Sequence, residues 1–244
     1  MYRRNWLPLG LAVPCLGLGA ARAQTDEKRP EERSAARPLA ETDAVKALID
    51  RAESALKSNG SDISAILSDP AFLPVHGWPR FRQLARTHAR SSLTIVTPQE
   101  RGKRLRVRMR LVEAGGSASI GALVYFYHTD DRGDYGPNDA GVPLAGSDNN
   151  YARLFGYAVT DADGTIEIQT IRPGGYPNDS APEHIHVRIT THDGRSFGAE
   201  VWFDDDPRVN REAREEAAQD RIVICPPSVD STGRESIDAT IKLD

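Results

Sequence analysis

Apolar and charged residues alternate strictly from Arg104 onward: Leu105, Val107, Met109 and Leu111 interleave with Arg104, Arg106, Arg108 and Arg110. Successive side chains of a strand point to opposite faces, so this period of two predicts a half-buried strand whose arginine row is a solvated outer face. Further strands are predicted near 119–128, 153–159, 165–171, 184–190, 197–203, 221–225 and 237–243, with turn signals such as Asp163-Gly164 and Asp193-Gly194 between several of them. Upstream the period changes. Val45, Leu48, Ile49 and Leu56 recur at helical spacing from Thr42, and Asn59-Gly60 closes that helix. A short helix is predicted over 62–67 and a third from Pro79 to His88, with Trp78, Phe81, Leu84 and Ala85 as its apolar stripe. The Glu- and Arg-rich run 207–219 reads as a surface helix. Many short strands without helices between them predict a mainly β chain: an antiparallel β-sandwich over 100–244 with a short N-terminal helical segment over 41–90. The helices pack on the sandwich or, in a homo-oligomer, against a second copy.

The first residues follow a different pattern. Arg3-Arg4 precedes an apolar stretch from Trp6 to Ala20, and Ala21-Arg22-Ala23 has the small-x-small form of a cleavage site. Residues 1–23 are therefore expected to be a signal peptide, too short and too rich in Pro and Gly for a membrane span. Arg3-Arg4-Asn5-Trp6-Leu7 resembles a twin-arginine export signal; an ordinary Sec signal is the alternative. Residues 24–40 are charged, contain Pro30 and Pro38, and read as a flexible linker. The expected location is periplasmic or secreted, with no membrane association after signal removal. Loss of residues 1–23 leaves 28 basic against 35 acidic residues, a formal charge of −7, and no nucleic-acid footprint. It also leaves Cys225 alone, so no intramolecular disulfide is expected, and the apolar run around Cys225 makes it a buried small hydrophobe.

The chemistry-bearing residues cluster at predicted strand ends. His184-Ile185-His186 opens the strand 184–190, and residues i and i+2 of a strand share a face, so both imidazoles can reach one ion. Two imidazoles suit Zn, Cu, Fe or Ni alike. Tyr176 lies in the turn Arg172-Pro173-Gly174-Gly175-Tyr176-Pro177 that leads into that strand, and Tyr135 in the turn Asp130-Asp131-Arg132-Gly133-Asp134-Tyr135 after an earlier one. A phenolate is hard and anionic and favours a ferric ion. Tyrosines in glycine-rich turns also close sandwich corners through their hydroxyls, so structural tyrosines beside a His-based Zn or Cu site remain an alternative. The long polar stretch 129–152 is expected to be functional, with Tyr151 a candidate lining residue. Asp204-Asp205-Asp206 lacks the Gly-containing loop and distal Glu of a calcium site and reads as a polar turn. His76 and His88 have no partner at ligand spacing and read as structural or exposed.

Several ordered stations between about Leu105 and Pro207 resemble the intradiol ring-cleavage dioxygenases, the family of catechol and protocatechuate dioxygenases. They are Gly121-Ala122-Leu123-Val124-Tyr125-Phe126-Tyr127-His128-Thr129-Asp130, Gly133-Asp134-Tyr135, Thr160-Asp161-Ala162-Asp163-Gly164, Thr170-Ile171-Arg172-Pro173-Gly174-Gly175-Tyr176-Pro177 and Pro182-Glu183-His184-Ile185-His186. The resemblance implies Fe(III) held by Tyr135, Tyr176, His184 and His186, with Tyr135 and His184 equatorial and Tyr176 and His186 axial. It implies a small aromatic diol and dioxygen as substrates, intradiol cleavage to a muconate-type diacid, and Tyr176 as a catalytic base that takes a catechol proton when displaced. Two positions depart from the family pattern. Ala181 stands where the family commonly has arginine, and Glu200 where it often has glutamine. Arg172 and Arg188 are nearby in sequence and could compensate, though the sequence does not place them. The departures keep a second class open, a β-sandwich binding module without turnover.

Overall fold

The computed structural model describes residues 41–58, 62–136, 152–177 and 181–244. The predicted signal peptide, the linker and Tyr151 lie outside the described residues. Helices α1 (Asp43–Ser58), α2 (Ile63–Leu67) and α3 (Pro79–Thr87) come first, with a 3₁₀ helix, Pro70–Val75, between α2 and α3. Asp62 caps α2 by accepting from the Ser64 N–H at 2.9 Å, and Asp69 caps the 3₁₀ helix by accepting from the Ala71 N–H at 2.8 Å. Pro79 occupies the first turn of α3, where no amide donor is needed.

Among the described residues ten strands follow: β1 (Ser92–Thr94), β2 (Arg104–Glu113), β3 (Leu123–His128), β4 (Leu154–Val159), β5 (Thr165–Ile171), β6 (His184–Thr190), β7 (Ser196–Phe203), β8 (Ile222–Cys225), β9 (Ser228–Val229) and β10 (Glu235–Leu243). They form two five-stranded sheets, ordered β1-β5-β2-β10-β9 and β4-β3-β6-β7-β8. Neither is closed into a barrel. Leu105, Val107, Met109 and Leu111 of the first sheet and Val124, Phe126, Ile185, Val187 and Ile189 of the second share one buried core, which continues into Ile49, Leu56, Ile63, Phe72 and Phe81 of the helical segment. The period-two reading of β2 therefore holds, with its arginines on the face away from that core.

Three expectations need correction. The sheets are mixed: β1 pairs with β5, β10 with β2 and β7 with β8 in parallel. Helix is not confined to the N-terminal segment: the surface helix expected over 207–219 forms as α4 (Arg211–Ala217) after β7, capped by the Asn210 side chain accepting from the Ala213 N–H at 3.1 Å. The strand expected over 119–128 begins only at Leu123. Ser119 and Gly121 bond instead to Leu111 and Thr160 in a turn that leaves Ile120 57% exposed.

His76 belongs to this scaffold. It is buried, its ring stacks on Phe81 at 5.2 Å between centroids, and Nδ1 lies 3.2 Å from the Arg153 carbonyl oxygen, an acceptor. Burial, only partly offset by that hydrogen bond, pushes its pKa from 6.5 down to about 4. The unfolded chain takes up a proton here near pH 6.5 while the folded chain resists to about pH 4. Stability is thus whole above the unfolded value and is lost as pH falls through this window, by an amount on the order of 3 kcal/mol. Thermal unfolding between pH 7 and pH 4.5 should show a steeper acid decline for the wild type than for His76→Phe; parallel curves would remove His76 as a source of acid sensitivity.

Candidate metal centre

β6 runs between β3 and β7, and its residues alternate between core and the opposite face. Ile185, Val187 and Ile189 enter the core; His184 and His186 point the other way. The register puts Tyr127 of β3 and Glu200 of β7 on either side of His186. The Tyr127 ring stacks on the imidazole with centroids 4.6 Å apart and planes 18° from parallel. Glu200 Oε1 lies 3.3 Å from His186 Nδ1, and its Oε2 accepts from the Trp202 indole N–H at 2.8 Å. Burial raises the Glu200 carboxyl, but the hydrogen bond from His186 and the fields of both imidazoles outweigh it and hold the pKa at about 2.

The two tyrosines arrive on turns that lock into each other. Asp130 organises the first turn: its carboxylate accepts from the N–H groups of Arg132 at 2.9 Å and Asp134 at 3.1 Å. Its carbonyl accepts from the Gly174 N–H of the second turn at 2.7 Å, and the Thr129 hydroxyl donates to the Gly174 carbonyl at 2.7 Å. Gly133 sits at φ +88°, and a Cβ there would stand 2.2 Å from the Gly175 carbonyl oxygen. A Cβ on Gly174 would stand 2.7 Å from the Asp131 carbonyl oxygen. Backbone meets backbone, which only glycine permits.

Four side chains converge as a result. Tyr176 Oη lies 3.1 Å from His184 Nε2 and 3.4 Å from His186 Nε2; Tyr135 Oη lies 2.8 Å from His186 Nε2 and in hydrogen-bond contact with Tyr176 Oη. The two Nε2 atoms are 3.0 Å apart. His184 Nδ1 is 2.6 Å from the Pro182 carbonyl oxygen, which only accepts, so Nδ1 carries the proton and Nε2 its lone pair. The Glu200 carboxylate assigns the same tautomer to His186. Two nitrogen lone pairs therefore face each other at 3.0 Å. The two phenol protons can serve the two imidazoles, but the oxygen–oxygen contact is then left without one. Burial, then the neighbouring Tyr176, pushes the Tyr135 phenol well above its ordinary range. A cation among the four atoms would relieve both repulsions and favour the phenolates, so this donor set fits a metal ion. His184, His186 and Glu200 form a His/His/Glu cluster consistent with a non-haem metal site. Within it Glu200 approaches His186 at Nδ1, on the far side of the ring from the other donors.

Sequence reasoning did not find Tyr127 or Trp202. Counting strand residues outward from the Thr191–Arg195 turn pairs His186 with Glu200 and was a usable signal. Of the two arginines named as possible compensating cations, Arg172 is corrected. Arg172 is committed elsewhere: it donates to Glu183 at 2.6 Å and to both Asp205 oxygens at 2.7 and 2.9 Å, and lies over the Phe203 ring. Arg188, two positions beyond His186, lies on the same face of β6 as the two imidazoles and is exposed. Arg208 is the cation beside the Tyr176 turn, with its guanidinium against Gly175. His192 lies in the exposed β6–β7 turn, Asp204–Asp206 forms a polar turn, and Cys225 is buried, its thiol pushed up to about 11 by burial.

A family model described as Dioxygenase matches residues 77–243. Among curated proteins, a chlorocatechol 1,2-dioxygenase of Rhodococcus opacus is 26% identical over 151 residues, covering 55% of this chain and 56% of that protein. The protocatechuate 3,4-dioxygenase beta chain of Burkholderia cepacia is 28% identical over 169 residues, covering 62% of this chain and 67% of that protein. The match thus spans little more than half the length of the Rhodococcus relative. Among solved structures, the dioxygenase domain of a dioxygenase–carbohydrate-binding fusion from Streptomyces sp. SirexAA-E is 23% identical with a TM-score of 0.49, covering 64% of this chain and 88% of that one.

Gly133→Ala tests the interlock. A Cβ at positive φ costs about 1 kcal/mol, and the clash with Gly175 adds to it, for about 3 kcal/mol in all. Gly116→Ala, also at positive φ but with nothing within 4 Å of a Cβ, should cost only the first part. Denaturant midpoints of the two variants measure the difference; equal losses would show that the contact between the turns carries no strain.

Proposed function

The chain belongs to the intradiol ring-cleavage dioxygenase family, and from that premise we propose that it is an exported, non-haem Fe(III) dioxygenase that opens a catechol-type ring between its two hydroxyl-bearing carbons. The observation that supports this reading is the convergence of Tyr135, Tyr176, His184 and His186 around facing lone pairs. A ferric ion would supply there the Lewis acidity that draws both catechol oxygens in as anions and makes the ring reactive toward dioxygen.

The chain's own residues set the rest. Two phenolate donors offset part of the ferric charge and favour Fe(III) over a divalent ion. Pro182 and Glu200 hold each imidazole in the tautomer that presents Nε2. Tyr176 Oη lies within 3.4 Å of both imidazole nitrogens, so as a phenolate it is placed to accept a catechol proton at that oxygen. Tyr127 covers one face of the His186 ring. Among the described residues no helix is long and apolar enough to cross a membrane; the export reading rests on residues 1–23 and is checked by N-terminal sequencing of secreted or periplasmic protein.

Purified protein should be red-brown from tyrosinate-to-iron charge transfer, and the band should change when catechol is added without oxygen. Iron content should fall to near zero in His184→Ala and His186→Ala and be unchanged in His192→Ala. Equal loss in all three would trace the effect to folding, and a colourless protein rich in zinc would replace the reading with a His-based zinc site.

Turnover on catechol should be slow. Ala181 offers no positive charge to anionic intermediates, and one charge-assisted contact is worth about 2–4 kcal/mol in a dry site, a rate factor of tens to hundreds. Ala181→Arg should raise oxygen consumption. Catechol binding with a colour change but no oxygen consumption, in wild type and variant alike, would make the protein a binding module.

A further inference from the structure

Glu200 is a carboxyl residue that the four-donor cluster does not use directly and that nonetheless touches it. Two N–H groups point at its carboxyl, the His186 Nδ1–H at 3.3 Å and the Trp202 Nε1–H at 2.8 Å. A group that receives two donors and offers none in return acts as a carboxylate. The antiparallel register places Glu200 directly across from His186, and the Tyr127 ring, stacked at 4.6 Å from the other neighbouring strand, holds the imidazole plane. The carboxylate faces Nδ1, whereas the atom that meets Tyr135, Tyr176 and His184 is Nε2. His184 is built differently: its Nδ1–H goes to the neutral Pro182 carbonyl at 2.6 Å. The two imidazoles thus form an unequal pair, one backed by a dipole and one by a full negative charge.

We infer that Glu200 is a positioning residue for His186, which makes that imidazole the stronger nitrogen donor and matches the site to a trivalent cation. This rests on the metal-centre reading above. A carboxylate that holds the Nδ1 proton raises the basicity of Nε2 and locks the ring orientation. It also supplies a third negative charge beside the two phenolates, so the surroundings of the ion carry a charge of three. Its field acts across the ring on whatever cation sits at Nε2, and the attraction scales with the charge of that cation. A trivalent ion therefore gains more from Glu200 than a divalent one.

The test compares wild type, Glu200→Gln and Asp238→Asn, the last removing an exposed carboxylate from β10 in the other sheet. Each full-length protein, stripped of metal, is titrated with Zn(II) and with Fe(III) in competition with nitrilotriacetate, and the visible spectrum of each Fe(III) form is recorded. Glutamine keeps the shape and an acceptor oxygen but removes the charge. Glu200→Gln is expected to weaken Fe(III) about 10–100-fold and Zn(II) less. It should also shift the tyrosinate-to-iron band to lower energy, since a weaker imidazole leaves the ferric ion a better acceptor. A merely structural role would not move that band. Asp238→Asn should match wild type in both. Affinities and spectra that are unchanged in Glu200→Gln overturn the inference, as does complete loss of both ions in a variant whose unfolding curve is unaltered, since Glu200 would then be a direct ligand. Failure of the wild type itself to bind either ion overturns the metal-centre reading instead.

Discussion

The contact between two glycine-bearing turns is the constraint on which the centre depends. One turn leaves β3 and the other leaves β5, strands of different sheets, and among the described residues the turns meet through the packing of Gly133 on Gly175 and the hydrogen bonds of Asp130 and Thr129 to Gly174. Each turn ends on a tyrosine. Their hydroxyls meet over His184 and His186 because the turns approach at backbone distance, closer than any side chain would allow. Any other residue at 133 would push the turns apart and carry Tyr135 away from the imidazoles.

The same contact gathers groups that repel one another. Four donor atoms face a common point with fewer protons than close contacts among them, and the scaffold that tolerates this is extensively buried and bonded. Behind the cluster, Arg172 ties Glu183, Asp205 and Glu235 together over the Phe203 ring, and Asp206 accepts from the Glu183 N–H at 2.6 Å. Burial works against the charge of Arg172, but its hydrogen bonds to Asp205 and Glu183 hold its pKa above the usual guanidinium range. This network fixes the segment directly before His184. Rigidity of this kind is what a preorganised metal centre requires, since a loose cluster of phenols and imidazoles would relax by turning its lone pairs outward.

Charge around the centre differs in two places from what the family resemblance implies. At 181 an alanine replaces a cation, and at 200 a carboxylate replaces a neutral amide. Both changes make the surroundings more negative. Of the arginines nearby in sequence, Arg172 is neutralised by its own partners, while Arg188 stands exposed on the same face of β6 as His186. Arg208, against Gly175 and 3.7 Å from Asp206, is the cation that the fold brings to the Tyr176 turn.

The amino-acid sequence by itself determined the parts that depend on near neighbours. Period-two alternation marked β2 and β6, and apolar runs bounded by turn signals marked β4, β5, β7, β8 and β10, to within two residues, because these signals are written into consecutive positions. Helical spacing and capping residues marked α1, α2 and α3 for the same reason, and the His184-Ile185-His186 spacing placed two imidazoles on one face. Tertiary structure decided what depends on distant pairing. The short strands β1 and β9 exist only through their partners β5 and β10, and the parallel pairings of β1, β8 and β10 leave no local trace. The 3₁₀ helix is six residues containing two prolines, too brief for a periodic signal. The partners of Arg172 lie 11, 33 and 63 residues away, so its withdrawal into an ionic network was invisible along the chain. The meeting of Tyr135 with Tyr176, 41 residues apart, was likewise settled by backbone contact between two sheets, a non-local event that the local pattern permits but does not specify.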